Sequence, residues 1–121
     1  MIPFRLPKWV LGILDIPRDF DKLSEKFISL LKKNLSKFTT ENPTVSIVMP
    51  VYNEEANLVQ TLYSLSQLNL KHSAELIVIN NNSTDRTQDI LDTLGIKSFS
   101  QSKQGISYTR QLGLEMAQGK Y

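Results

Sequence analysis

The chain has 121 residues, with 14 Lys/Arg against 12 Asp/Glu, one histidine and no cysteine. That is enough for one domain with a single core, and it excludes disulfides, thiolate metal sites and any multi-histidine cluster. The net charge of +2 is too small to point to nucleic acid, although residues 1–43 hold eight Lys/Arg against five Asp/Glu and residues 44–121 hold six against seven.

Residues 1–18, "MIPFRLPKWVLGILDIPR", contain three prolines and no sustained period, and predict an irregular arm with exposed aromatic residues. Its apolar run "WVLGIL" falls far short of the roughly 20 residues that a bilayer span needs. It also lacks the cleavage pattern of a signal peptide, so the expected location is the cytoplasm. Residues 19–38 repeat apolar positions at three- and four-residue steps (Phe20, Leu23, Phe27, Leu30, Leu31, Phe38), which predicts a basic amphipathic helix capped by Asp19. Docking on its own domain is the favoured reading of that helix. The alternative is a peripheral contact with an anionic membrane surface, where a lipid-linked acceptor would lie. Residues 1–43 are thus an N-terminal arm and helix, and "TTENPT" links them to a main domain over 44–121.

From residue 44 the pattern alternates between strand and helix. "VSIVM" (45–49) reads as a strand covered on both faces and ended by Pro50, with Asn53 capping the helix that follows. A second strand over 75–79 leads into "NNNSTD", where Ser83 caps a helix closed by Gly95. "IKSFS" (96–100) reads as a weaker third strand, followed by a helix over about 106–118 closed by Gly119. Three such units predict an α/β fold with a parallel sheet between layers of helices. Ligands of such sheets bind beyond the carboxyl ends of the strands, and "PVYNEE" and "NNNSTD" occupy those ends. Asparagine is a poor strand residue but a useful one where the backbone turns and side chains must both donate and accept. Asn80 and Asn81 are therefore expected to face a cleft.

Taken together, "VSIVMPVYNEEANLVQTLYSLSQLN", "ELIVINNNSTDRTQDIL" and "QGISYTRQLGLEMAQGKY" resemble the start of a family 2 glycosyltransferase with the Rossmann-like GT-A fold. The resemblance covers residues 45–121. It implies transfer of a sugar from a nucleotide diphosphate-sugar to an acceptor, with no nucleic acid as partner. Position by position, Pro50, Tyr52 and Glu54 match the family's first nucleotide-contacting block, with the tyrosine against the base. Asn80 and Asn81 fall where many members carry paired acids, the second of which accepts a hydrogen bond from the base. The loss of that charge leaves the base open: uracil, hence a UDP-sugar, is the default, and guanine, hence a GDP-sugar, is the alternative. Arg110 matches a phosphate or nucleotide contact, and Lys103 is a weaker candidate. Asp85 is assigned to capping, and Gly113 and Ala117 to close packing on the sheet. The resemblance further implies Mg²⁺ or Mn²⁺, held by a D-x-D-type motif beyond Tyr121, with the catalytic base also downstream. Glu54, Glu55 and Asp85 sit at helix starts, so none is assigned as a base. The expectation is a nucleotide-recognition part that is inactive alone; the alternative is a non-catalytic module binding a nucleotide or nucleotide-sugar.

Overall fold

A computed structural model describes residues 7–121. Among these residues, five α-helices run in chain order, α1 (Lys8–Leu14), α2 (Glu25–Leu35), α3 (Leu58–Ser66), α4 (Thr87–Thr93) and α5 (Ile106–Met116), with three strands, β1 (Val45–Val51), β2 (Ala74–Asn80) and β3 (Ser98–Ser100). The strands form one parallel sheet in the order β1-β2-β3, with Val45 opposite Ala74 and Val78 opposite Ser98. The α/β sheet between helices is the fold class expected from the alternation of patterns.

Consecutive strand residues face opposite sides. Leu76 and Val78 enter a cluster with Leu58, Leu62, Ile90 and Leu91 from α3 and α4, joined by Leu31, Leu35 and Phe38 from the N-terminal segment. Ile79 turns to the other face, where α5 lies so close that a Cβ at Gly113 would overlap Val48 Cγ1. Gly113 thus performs the packing role expected of it.

The N-terminal segment departs from its expected form. The first six residues of the arm, Phe4 among them, lie outside the described residues, as does the side chain of Trp9; residues 8–14 are helical rather than irregular. The predicted helix over 19–38 is broken. Asp19 caps only a 3-10 turn, Phe20–Lys22, and α2 starts afresh because Ser24 is extended and its hydroxyl accepts from Phe27 N–H at 3.1 Å. After α2, a 3-10 turn, Ser36–Phe38, buries Phe38, and Lys37 donates to the Ser66 and Leu68 carbonyls at the end of α3. The apolar face of α2 is therefore spent inside the molecule, and Lys26, Leu30 and Lys33 face solvent. Among the described residues, no helix is long and apolar enough to cross a membrane.

Pro50 does not end β1. Val51 carbonyl accepts from Asn81 N–H, so the missing donor of Pro50 falls on the opposite, outer side of the strand, where proline is tolerated. That outer side meets Tyr121: Ser46 N–H donates to Tyr121 carbonyl at 2.7 Å and Tyr121 N–H to Thr44 carbonyl at 3.1 Å. α5 ends at Met116, so Gly119 does not close it. Gly119 instead lies flat on β1, where a Cβ would come within 2.7 Å of Ser46 N. β3 begins only at Ser98 because Gly95 adopts φ 67° and Ile96 N–H turns back to Leu91 carbonyl.

Candidate functional site

Two of the hollows among the described residues lie at opposite ends of the sheet. The larger, about 540 Å³, lies at the amino end of the sheet against Leu35, Phe38, Leu76, Ile96 and Lys97. The smaller, about 400 Å³, lies at the carboxyl ends of β1 and β2, lined by Pro50, Val51, Tyr52, Glu54, Asn81, Gln104, Gly105, Ile106 and Thr109. We take the smaller as the candidate site, because strand tips and the start of α5 bring main-chain and side-chain polar groups to its wall.

Its first wall is built by two loops that hold each other. Asn53 N–H donates to Ser83 Oγ at 3.0 Å, and Asn53 Oδ1 accepts from Thr84 N–H at 2.8 Å. Glu54 N–H donates to Thr87 Oγ1 at 2.9 Å and Glu55 N–H to Asp85 Oδ2 at 3.1 Å, while Glu55 Oε2 accepts from Arg86 N–H at 3.0 Å. Asn53 and Asn82 carry φ of 48° and 62°, left-handed conformations that asparagine adopts more readily than most residues. These contacts replace the expected caps. α3 starts at Leu58 rather than after Asn53, and α4 at Thr87 rather than after Ser83, because Asn53 and Ser83 are engaged with one another's loops. Asp85 stands one residue before the N-cap position, Arg86, and accepts from the N–H of the first helical residue, Thr87, at 2.9 Å and from its hydroxyl. Burial works to raise the Asp85 carboxyl, but the hydrogen bonds from Thr87 and Glu55 outweigh it and hold it below the ordinary aspartate value.

The neighbouring asparagines part company. Asn80, 5% exposed, does not line the cavity: its Oδ1 accepts from Ser83 N–H at 3.2 Å and its Nδ2 donates to Gln88 Oε1 at 2.9 Å. Those two bonds commit Asn80 to the turn into α4 and away from the cavity. Asn81 is the one that faces it. Its Nδ2 donates to Gln101 carbonyl at 3.2 Å and Lys103 carbonyl at 2.7 Å, and its Oδ1 accepts from Gly105 N–H at 3.1 Å.

Tyr52 is half-exposed and Glu54 partly buried, both on the wall with Pro50. Lys103 and Arg110 are exposed and absent from the wall; Lys103 Nζ lies 5.3 Å from the ring centre of Tyr108. The second wall, Gln104–Ile106 with Thr109, was not singled out in the sequence, although its position after β3 and before a helix is the signal that could have found it. Among the described residues, no three His, Asp or Glu side chains come together to hold a metal ion, so the Mg²⁺ or Mn²⁺ implied by the resemblance finds no ligand set there.

The sequence matches the glycosyl transferase family 2 model over residues 46–121. It is 41% identical over 86 residues to an uncharacterized glycosyltransferase of Haemophilus influenzae, covering 65% of this chain and 34% of that protein. It is 34% identical over 89 residues to the glycosyltransferase AglE of Haloferax volcanii, covering 67% and 29%. A solved structure of glucosyl-3-phosphoglycerate synthase from Mycobacterium tuberculosis in complex with uridine-diphosphate is similar at 24% identity and a TM-score of 0.49, over 76% of this chain and 34% of that one. The chain spans about a third of the length of these relatives, or less. With residues 46–121 matched, the chain belongs to glycosyl transferase family 2.

Proposed function

We propose that the cavity between Tyr52 and Asn81 holds the nucleoside of a nucleotide diphosphate-sugar, and that this chain supplies donor recognition for a glycosyltransferase. The observation that carries the reading is the convergence of Tyr52, Glu54 and Asn81 on one hollow at the carboxyl ends of β1 and β2. The half-exposed ring of Tyr52 offers a flat apolar face to a base. Pro50 and Glu54 shape the loop that follows the nucleoside, and Asn80 acts behind the wall by holding the turn into α4. Lys103, on the loop that carries the second wall, and Arg110, in α5, are solvent-facing cations whose field attracts the diphosphate. Uridine diphosphate is the default ligand and guanosine diphosphate the comparison.

Titration calorimetry of the chain with each diphosphate tests this. The expected result is saturable binding of UDP that weakens about tenfold in Tyr52→Ala, the loss typical of one base–aromatic stack. Equal affinity in the variant and the parent would overturn the assignment of Tyr52.

A further inference from the structure

We propose that Asn81 is a positioning residue that clasps the second wall of the cleft to the first, and that an asparagine is required there because both of its amide hydrogens are spent on the loop. The inference rests on the nucleotide reading of the cavity for its functional consequence, though not for its geometry.

The loop over 101–105 has no regular structure, and Ser102, Lys103 and Gln104 are exposed. Packing therefore does little to hold it. Its tie to the tip of β2 consists of Gln101 N–H donating to Asn80 carbonyl at 2.9 Å and of the three hydrogen bonds made by the Asn81 side chain. Those three reach both ends of the loop, from the Gln101 carbonyl to the Gly105 N–H. Gly105 in turn starts α5 with φ 131°, so the clasp sets where Gln104, Gly105 and Ile106 stand across from Tyr52 and Glu54. Asn81 is 6% exposed and has little room to turn its amide.

This geometry separates two roles that one side chain could play. If Asn81 served only as an acceptor toward a ligand, aspartate would serve as well or better, since a carboxylate accepts strongly and has the same shape. As a clasp, aspartate fails: it still accepts from Gly105 N–H, but it turns a second oxygen, without a proton, toward the carbonyls of Gln101 and Lys103. The repulsion opens the loop. Ligand and loop are then linked, because a nucleotide touching both walls favours the closed loop, and the closed loop favours the nucleotide.

The test combines nuclear magnetic resonance of the free chain with UDP titration. In the parent, both side-chain amide protons of Asn81 are expected to be protected from solvent exchange, together with the Gly105 N–H. Asn81→Asp should speed exchange of Gly105 at least tenfold, leave the core amides of β2 slow, and weaken UDP binding about tenfold. Exchange of Gly105 at the parent rate with undiminished UDP affinity would overturn the proposal, as would unprotected Asn81 amide protons in the parent. Gly105→Ala, which strains the same loop from its other end, covers the case in which Asn81→Asp does not fold. It should weaken UDP about tenfold, and unchanged affinity counts against the clasp. If the parent binds neither UDP nor GDP, the nucleotide reading fails, while the exchange measurements still decide the clasp.

Discussion

A buried polar side chain stands near each end of β2, Glu75 at 2% exposure within it and Asn81 at 6% just beyond its last residue. Both hold a distant piece of chain through a main-chain N–H, Gln118 for Glu75 and Gly105 for Asn81. The difference lies in charge and in what remains unused. Glu75 Oε1 accepts from Ser46 Oγ at 2.6 Å and from Gln118 N–H at 2.7 Å, and Oε2 accepts from Lys97 Nζ at 3.1 Å. Its carboxylate is consumed by the protein itself, beside the larger hollow. The smaller hollow at the other end has the exposed aromatic face and loop ends that a ligand can meet. The size of a hollow thus does not identify the site; the groups left available on its wall do.

The comparison can be broken most severely at Glu75. Glu75→Ala removes the acceptor shared by Ser46 and Gln118 and leaves two part-buried donors unpaired, which should cost about 3 kcal/mol in chemical denaturation. Burial works to raise the Glu75 carboxyl, but hydrogen bonds from Ser46, Gln118 and Lys97, with the charge of Lys97, hold it below the ordinary value. A folded-state value below the unfolded one means that the stabilisation is complete above about pH 4.3 and is lost as pH falls from there through the depressed folded value. Denaturation curves across that window should show the gap between parent and Glu75→Gln closing toward acid. A constant gap would mean that the carboxylate charge does not contribute.

A smaller effect is expected where this network meets the chain's last residues. Gly119 N–H donates to Ser46 Oγ at 2.8 Å, so Ser46 links Glu75 to the segment lying on β1. Gly119→Ala drives a Cβ against Ser46 N and Val45 C, both backbone atoms at 2.7 Å, and neither can step aside. A loss of about 2 kcal/mol is expected, with faster exchange at Ser46 N–H, whose acceptor is Tyr121. An unaltered melting temperature would show that this segment is not held where it lies.

Much of this was readable from residue patterns, and the failures share a cause. The strands, the α5 packing glycine and the location of the cleft follow from periodicity and from the rule for parallel sheets, which depend on local sequence. The caps assigned to Asn53 and Ser83 were misplaced because a short polar side chain can bond any nearby backbone. The choice depends on partners 30 residues away, as Asn53 and Ser83 show. Asn80 and Asn81 looked equivalent as letters, and only their partners separated them, the turn into α4 for Asn80 and the 101–105 loop for Asn81. Glu75 read as the edge of an apolar strand, since nothing local reveals that Ser46, Lys97 and Gln118 converge on it. The absence of a carboxylate at position 81, which left the base open, has a local physical account: two carbonyls of the 101–105 loop need donors there.

The smallest effect should come from Lys97, the one charged partner that Glu75 has among the described residues. Lys97 is 43% exposed, so its 3.1 Å contact is screened by water on one side, and its long side chain loses rotamer freedom to make it. Lys97→Met keeps the aliphatic stem over the hollow and removes the charge, leaving Ser46 and Gln118 as donors to the carboxylate. We expect a loss of about 0.5 kcal/mol, further reduced at high salt, against the larger, salt-insensitive loss in Glu75→Ala. If Lys97→Met were as damaging as Glu75→Ala, the ion pair rather than the neutral donors would hold this end of the sheet. The contrast with the uncharged clasp at Asn81 would then be sharper still.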